Sequence, residues 1–320
     1  MIHPALIPSP PVFRSRNDAT DPRVGDRVHP LQSLDELSPG DLVVLGISNE
    51  ADVLANHGRT GATHGPEAFR QAFFKLTAPT LLGRRCWDAG DLPEALPYET
   101  RFDLQGEVLA SLVRCGALPV VVGGGHDSSY GNYLGLASLR DFSPLRPPAV
   151  LGVDAHLDMR PVQGPNSGNP FFRMLEHGLP GEDLALVGLI PWVNAESHRD
   201  YGRVKGAALQ WLEPGGEAQA LTSATAALTR FQGRGRRVLA TFDLDAFSAA
   251  AIPGVSAPNP WGLSADLGLQ LAKAFGTSPS VAVLDLMELA PSQDPSGRSA
   301  RMAAFLVAAF MQGLAIRPNQ

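Results

Sequence analysis

Short apolar runs alternate with amphipathic stretches of helical spacing from Asp41 almost to the C-terminus, and this alternation constrains the fold more than any other feature. Residues 42–47, 84–87, 118–122, 149–153, 184–188, 204–209, 238–242 and 281–286 read as buried strands. Residues 66–74, 104–113, 217–231 and 263–275 read as helices between them. In the second of these, Leu104, Val108, Leu109, Leu112 and Val113 recur on one stripe that can face a sheet. The pattern predicts an α/β fold of three layers, with a parallel sheet of about eight strands between two layers of helices. Residues 1–40, rich in Pro and Arg, are expected to form a partly irregular arm, and residues 41–320 a single domain.

Parallel sheets of this kind bind ligands beyond the carboxyl ends of their strands, so the residues that follow each strand are the informative ones. Three ends are densely polar. Gly123-Gly124-Gly125-His126-Asp127 follows one strand, Asp154-Ala155-His156-Leu157-Asp158 a second, and Asp243-Leu244-Asp245 ends a third. In extended chain, residues two apart point the same way, so Asp154, His156 and Asp158 can converge, as can Asp243 and Asp245. Taken singly, each Asp has a plainer role as a helix cap or turn former, and each His as a satisfied core or surface residue. Together, four carboxylates in one crevice repel one another unless cations hold them. Oxygen-rich ligation with two imidazoles and no thiolate suits Mn²⁺ or another hard divalent ion, and six ligand side chains suit two ions rather than one. The glycines at 123–125 fit neither GxGxxG nor GxxxxGK[ST], so they read as close backbone packing beside His126 rather than as a phosphate cradle.

Composition narrows the partners. The formal charge is −6, from 26 Lys and Arg against 32 Asp and Glu, with no basic cluster, which argues against nucleic acid. Only Cys86 and Cys115 are present, too few for a disulfide framework, and the first forty residues hold no apolar run of signal-peptide length; the expectation is a cytoplasmic protein. The most apolar stretch, 303–316, falls short of the ~20 residues that a bilayer span requires and reads as a buried C-terminal helix.

These blocks, with Glu288 in the segment DLMELAP and the earlier GRTGATHGPEAFR, resemble the ureohydrolases: arginases, agmatinases and formimidoylglutamases. The likeness spans Gly58 to Arg301. It implies an arginase-like fold and a binuclear Mn²⁺ centre held by His126, Asp154, His156, Asp158, Asp243 and Asp245. Within the family the sequence is most similar to formimidoylglutamases. Arginases and agmatinases usually show GGDHS at the first block, formimidoylglutamases GGGHE; here Gly125 stands at the Asp position and Asp127 shortens the Glu. Asn166-Ser167-Gly168-Asn169-Pro170-Phe171 resembles SSGTPF, and Pro253-Gly254-Val255-Ser256-Ala257-Pro258 matches PGVSAP. Arginases carry a His for proton transfer where this chain has Phe171, and the last acidic position of their DxDxxDP is lacking here, where Ser248 and Ala249 stand.

The implied reaction is hydrolysis of N-formimino-L-glutamate to L-glutamate and formamide, as in histidine degradation, by attack of a metal-bridging hydroxide on the amidine carbon. Glu288 matches the family's substrate-orienting Glu, and Asp158 is the candidate proton donor to the leaving amine. The two carboxylates of such a substrate call for Arg or amide partners, and Arg59, Arg160, Arg173, Asn166, Ser167, Asn169 and Asn194 are the candidates. An agmatinase-like or other guanidino-compound hydrolase with the same metal centre is the alternative, distinguished by acids in place of arginines at the tail. A non-catalytic metal-binding paralogue is the other. The partner expected in either catalytic reading is a small molecule, with no nucleic acid and no membrane, and the family likeness leans towards a homo-oligomer.

Overall fold

The computed structural model describes residues 2–139, 147–161 and 164–318. Its strands are β1 (Val28–Pro30), β2 (Leu42–Ile47), β3 (Cys86–Leu92), β4 (Leu118–Val122), β5 (Ala149–Val153), β6 (Leu184–Leu189), β7 (Ala208–Trp211), β8 (Val238–Asp243) and β9 (Val281–Met287). They form one nine-stranded sheet in the order β1-β3-β2-β4-β9-β8-β5-β6-β7, with every neighbouring pair parallel.

Period-two alternation sends successive strand residues to opposite faces, and both faces are covered. Val44, Val120, Val122, Leu151 and Phe242 pack with Phe69, Phe73, Phe231, Phe275 and Phe310. These come from α2 (Gly65–Phe73), α7 (Ala218–Gly233), α8 (Ala265–Thr277) and α9 (Arg298–Ala315). On the other face Val43, Leu45, Val121, Val150 and Leu239 pack with Phe102, Leu109, Tyr133 and Met174. Those belong to α3 (Tyr98–Arg114), α4 (Ser128–Ser138) and α5 (Pro170–Glu176); the remaining helices are α1 (Ala51–Ala55) and α6 (Glu196–Lys205). The three layers are those the alternation implies.

The structure departs from the sequence reading in three strands. The sheet gains β1 from the arm, paired with β3 through Val28 and Cys86. The second expected strand starts at Cys86 and runs to Leu92, through Asp88 and Asp91, whose charges are met by the fully buried Arg70 of α2. The expected strand 204–209 begins in α6: Val204 and Lys205 are helical, Gly206 turns the chain at φ +86°, and the strand starts at Ala208. The apolar stretch 303–316 lies in α9 except at its end. There α8 and α9 meet backbone to backbone: a Cβ on Gly276 would sit 2.0 Å from the Phe310 carbonyl oxygen. No helix among the described residues is long and apolar enough to cross a membrane.

The strand order creates the crevice. β4 and β5 follow one another in sequence but are separated in the sheet by β9 and β8, so the chain leaves the centre in opposite directions on the two sides. This is a topological switch point, where loops at the carboxyl edge part and leave room for a ligand.

Candidate metal centre

The four strands at that point, β4, β9, β8 and β5, deliver every polar block singled out above. His126 follows β4 after Gly123 and Gly124, which turn the chain at φ +93° and +75°. Gly125 is required by space: a Cβ there would lie 1.8 Å from Asp52 Oδ2. Asp154 to Asp158 follow β5, Asp243 ends β8 with Asp245 beyond it, and Glu288 follows β9. Asp158 and Glu288 have left-handed backbones, φ 45° and 67°, which non-glycine residues adopt at a cost and which functional sites concentrate.

The six side chains converge as two groups that share one carboxylate. His126, Asp154, Asp158 and Asp243 bring ligand atoms within 4.8 Å of one another, as do Asp154, His156 and Asp245. His126 Nδ1 lies 2.8 Å from Asp158 Oδ2, 3.1 Å from Asp154 Oδ2 and 3.2 Å from Asp243 Oδ2. His156 Nδ1 lies 3.0 Å from Asp245 Oδ2 and 3.7 Å from Asp154 Oδ1. Oxygens about 2.1 Å from a hard octahedral ion stand about 3 Å apart, so these separations suit donors around shared cations.

Asp154 Oδ2 and Asp245 Oδ1 are buried without a hydrogen bond, a costly arrangement that a cation relieves. The protonation pattern agrees. Burial works to lower the His126 pKa, yet the surrounding carboxylates of Asp154, Asp158 and Asp243 hold it well above the ordinary imidazole value; at His156, with Asp245 and Asp154 around it, the result is the same. Burial, followed by repulsion from Asp245, pushes Asp243 up to about 7, and burial raises Asp158 and Asp245 as well. Positive charge is favoured at this point, and the donor set fits a pair of divalent ions.

Above the cluster lies a cleft of about 270 Å³, of a size for a small molecule. Glu288 lines it: Oε1 accepts the His126 backbone N–H at 3.1 Å, whereas Oε2 is buried without a hydrogen-bond partner. Burial, then the Asp243 charge, raises its pKa well above the carboxylate range. Phe171 is fully buried and sets its ring at 89° to that of His126, centroids 5.3 Å apart, so an apolar edge seals the imidazole.

The substrate candidates separate. Arg59, Arg160, Ser167 and Asn194 line the cleft. The Arg59 guanidinium is engaged by the carbonyls of Pro253, Val255 and Ser256, so it holds that loop in place. The Asn194 carboxamide braces the backbone of Ala155, Leu157 and Ile190. Arg160 is exposed at the mouth and has no ion-pair partner among the described residues. Arg173, Asn166 and Asn169 do not line the cleft. Arg173 lies over the rings of Tyr98, Phe102 and Tyr130 and pairs with Glu99, while the two carboxamides bond the backbone of their own loop, Asn166 to Gly168 and Asn169 to Gly164.

Asn56, His57 and His198, which the sequence reading passed over, line the cleft with Ser256, and His57 shares the left-handed conformation at φ 61°. Asp127 turns away from the cluster: Arg101 Nη2 donates to its Oδ1 at 2.9 Å, and beside it burial and the Asp127 charge hold Asp52 well above its usual pKa. Thr241 Oγ1 lies 3.1 Å from His126 Nε2, and Asp285 stands opposite Thr241 in the sheet. An acid within the apolar segment VAVLDLM was the available signal for the last of these.

Residues 40–313 match the model of the arginase family. The chain is 34% identical over 312 residues to the formimidoylglutamase of Rhodococcus opacus, covering 95% of each protein. It superposes on a crystal structure of Trypanosoma cruzi formiminoglutamase with Mn²⁺ at a TM-score of 0.82 and 29% identity, covering 93% of this chain and all of that one. The formimidoylglutamase of Bacillus subtilis shares the fold, with a TM-score of 0.85 at 20% identity, over 96% of each chain.

Proposed function

The chain belongs to the arginase family, and from that premise we propose that it is a binuclear-manganese hydrolase that cleaves N-formimino-L-glutamate to L-glutamate and formamide. The observation that carries the metal part is the pair of ligand groups sharing Asp154 at the base of a small cleft. The substrate part is supported by the similarity to formimidoylglutamases and by Arg160 at the mouth, which has no ion-pair partner among the described residues.

His126, Asp158, Asp154 and Asp243 would hold one ion, and Asp154, His156 and Asp245 the other. Two Mn²⁺ ions held there would supply the Lewis acidity that makes hydroxide available from water at neutral pH. The protein supplies orientation and charge. Glu288 Oε1 is fixed by the His126 N–H, which leaves Oε2 to accept from the cationic formimino nitrogen and so to orient the amidine carbon for attack. Arg160 offers a planar fork to a substrate carboxylate at the rim, with Ser167 and His198 beside it. Phe171 has no proton to give, so the Asp158 carboxylate would take up the proton that the attacking water gives up and pass it to the nitrogen of the departing amine. One water is consumed, the bond from the amidine carbon to the glutamate nitrogen breaks, and formamide leaves with the carbon.

The experiment is a comparison of initial rates for the Mn²⁺-loaded protein on N-formimino-L-glutamate, arginine, agmatine and a guanidino acid. Preference for the first with formamide release is expected. Urea release from a guanidine would keep the metal chemistry and replace the substrate, and inactivity on all four would favour a non-catalytic paralogue.

A further inference from the structure

An apolar residue at 285 would serve the sheet as well as its neighbours do, yet the chain places a fully buried carboxylate there, in the middle of β9. Burying an acid is costly unless its hydrogen bonds return the energy, so its partners identify its use. Asn132 Nδ2 of α4 donates to Asp285 Oδ2 at 2.8 Å, and the Asn132 carboxamide oxygen is itself held by Gln105 Nε2 of α3 at 2.7 Å. Asp285 Oδ1 is buried without a hydrogen-bond partner. Thr241 is its register neighbour on β8, and the Thr241 hydroxyl lies 3.1 Å from that of Ser129.

Thr241 leads to the metal cluster. Its Oγ1 is 3.1 Å from His126 Nε2, the ring nitrogen that points away from the three carboxylates. For Nδ1 to offer a lone pair to a cation, Nε2 must carry the proton and needs an acceptor. The Thr241 hydroxyl accepts that proton and must then direct its own hydrogen elsewhere: the Ser129 hydroxyl at 3.1 Å and the neighbouring Asp285 carboxylate stand beside it, and only the carboxylate is charged and has an unpartnered oxygen. His156 has no such chain among the described residues: its side chain is 26% exposed and its only described ring contacts are with Asp154 and Asp245.

We propose that Asp285, acting through the Thr241 hydroxyl, is a positioning residue that fixes the tautomer and ring orientation of His126 and so sets the affinity of the His126 half of the metal pair. Partners of this kind commonly carry about 10–100-fold of a site's metal affinity. The effect is confined to one half, because the other imidazole is held independently.

The inference rests on the two-ion reading, and Mn²⁺ titration of the full chain separates the two. The native protein is expected to bind two equivalents, with an exchange-coupled two-manganese EPR signal. Asp285→Asn and Thr241→Val each retain one tight equivalent, bind the second about 10–100-fold more weakly and give an isolated-ion spectrum, while Thr241→Ser, which keeps the hydroxyl, restores the pair. Thermal unfolding of the metal-free variants accompanies the titration. Native affinity for both ions in both variants overturns the proposal, as does equal weakening of both sites together with a lower metal-free midpoint, which marks a purely structural role. Should Asp285→Asn not fold, Thr241→Val and Thr241→Ser decide the matter alone. A native chain that binds fewer than two ions removes the two-ion reading and this proposal with it.

Discussion

Glu288 and Arg160 represent two kinds of contribution within one cleft, and kinetics separates them. Glu288→Gln keeps an oxygen for the His126 N–H but removes the charge aimed at the cationic centre. We expect kcat/KM to fall by about 10²–10³ with manganese content unchanged, measured by steady-state rates beside metal analysis. Arg160→Gln removes a cation that meets the substrate away from the reacting carbon, so KM should rise about 10–100-fold with kcat much less affected. Equal loss in kcat would place Arg160 at the chemistry instead. At this scale five of the six candidate ligands stood out by a spacing of two after a strand, which is itself geometry, and His126 by its place in the GGGHD block; the structure brings all six together. Arg173, Asn166 and Asn169 were chosen by side-chain type alone, and type does not say which way a side chain turns: Arg173 turned to three aromatic rings and the two amides to their own loop. Asp285 and Thr241 escaped notice because they matter through a neighbour that sequence separation conceals.

Elements were legible where burial is uniform and obscured where a charge is internally paired. Residues 42–47, 118–122 and 149–153 were read with their observed bounds, since each is an unbroken apolar run. β3 was cut short because Asp88 and Asp91 look like solvent-facing residues, yet the Arg70 guanidinium meets Asp88 Oδ2 and Oδ1 at 2.9 Å each and Asp91 Oδ1 at 2.7 Å. β1 was missed because a three-residue edge strand ending in Pro has no periodicity to detect. The Arg70 pairing carries a prediction for α2 and β3 as a unit. Arg70→Met leaves the buried Asp88 and the half-buried Asp91 without their cation and should cost about 3–5 kcal/mol at neutral pH, read by denaturant unfolding. Burial already raises the Asp91 pKa against the pull of Arg70; without Arg70 it rises further, so the deficit should shrink as pH falls and the carboxyls take up protons. A deficit independent of pH would mean that lost packing, not charge, is responsible.

For the whole molecule, the cluster joins the ends of three central strands, β4, β5 and β8, from His126 to Asp245, so metal binding and global folding are linked. Ions that bind only the folded chain stabilise it by RT ln(1 + [L]/Kd), about 3 kcal/mol at a hundredfold excess over Kd. Mn²⁺ should therefore raise the unfolding midpoint and a chelator lower it. The pH dependence has a definite sign. In the metal-free fold Asp243 holds its proton up to about 7, through burial and the Asp245 charge, against 3.8 as the ordinary value. Between those values the folded chain binds more protons than the unfolded one, so this group's contribution to metal-free stability declines as pH rises through the window. Metal binding runs the other way, because a carboxyl must give up its proton to become a ligand. Each proton displaced makes apparent affinity fall up to about tenfold per pH unit below 7. The gap between manganese-loaded and metal-free midpoints should accordingly widen from pH 5 to pH 8 at fixed Mn²⁺, as scanning calorimetry can measure. A gap constant over that range would show that the ions bind without displacing protons and would remove Asp243 from the ligand set.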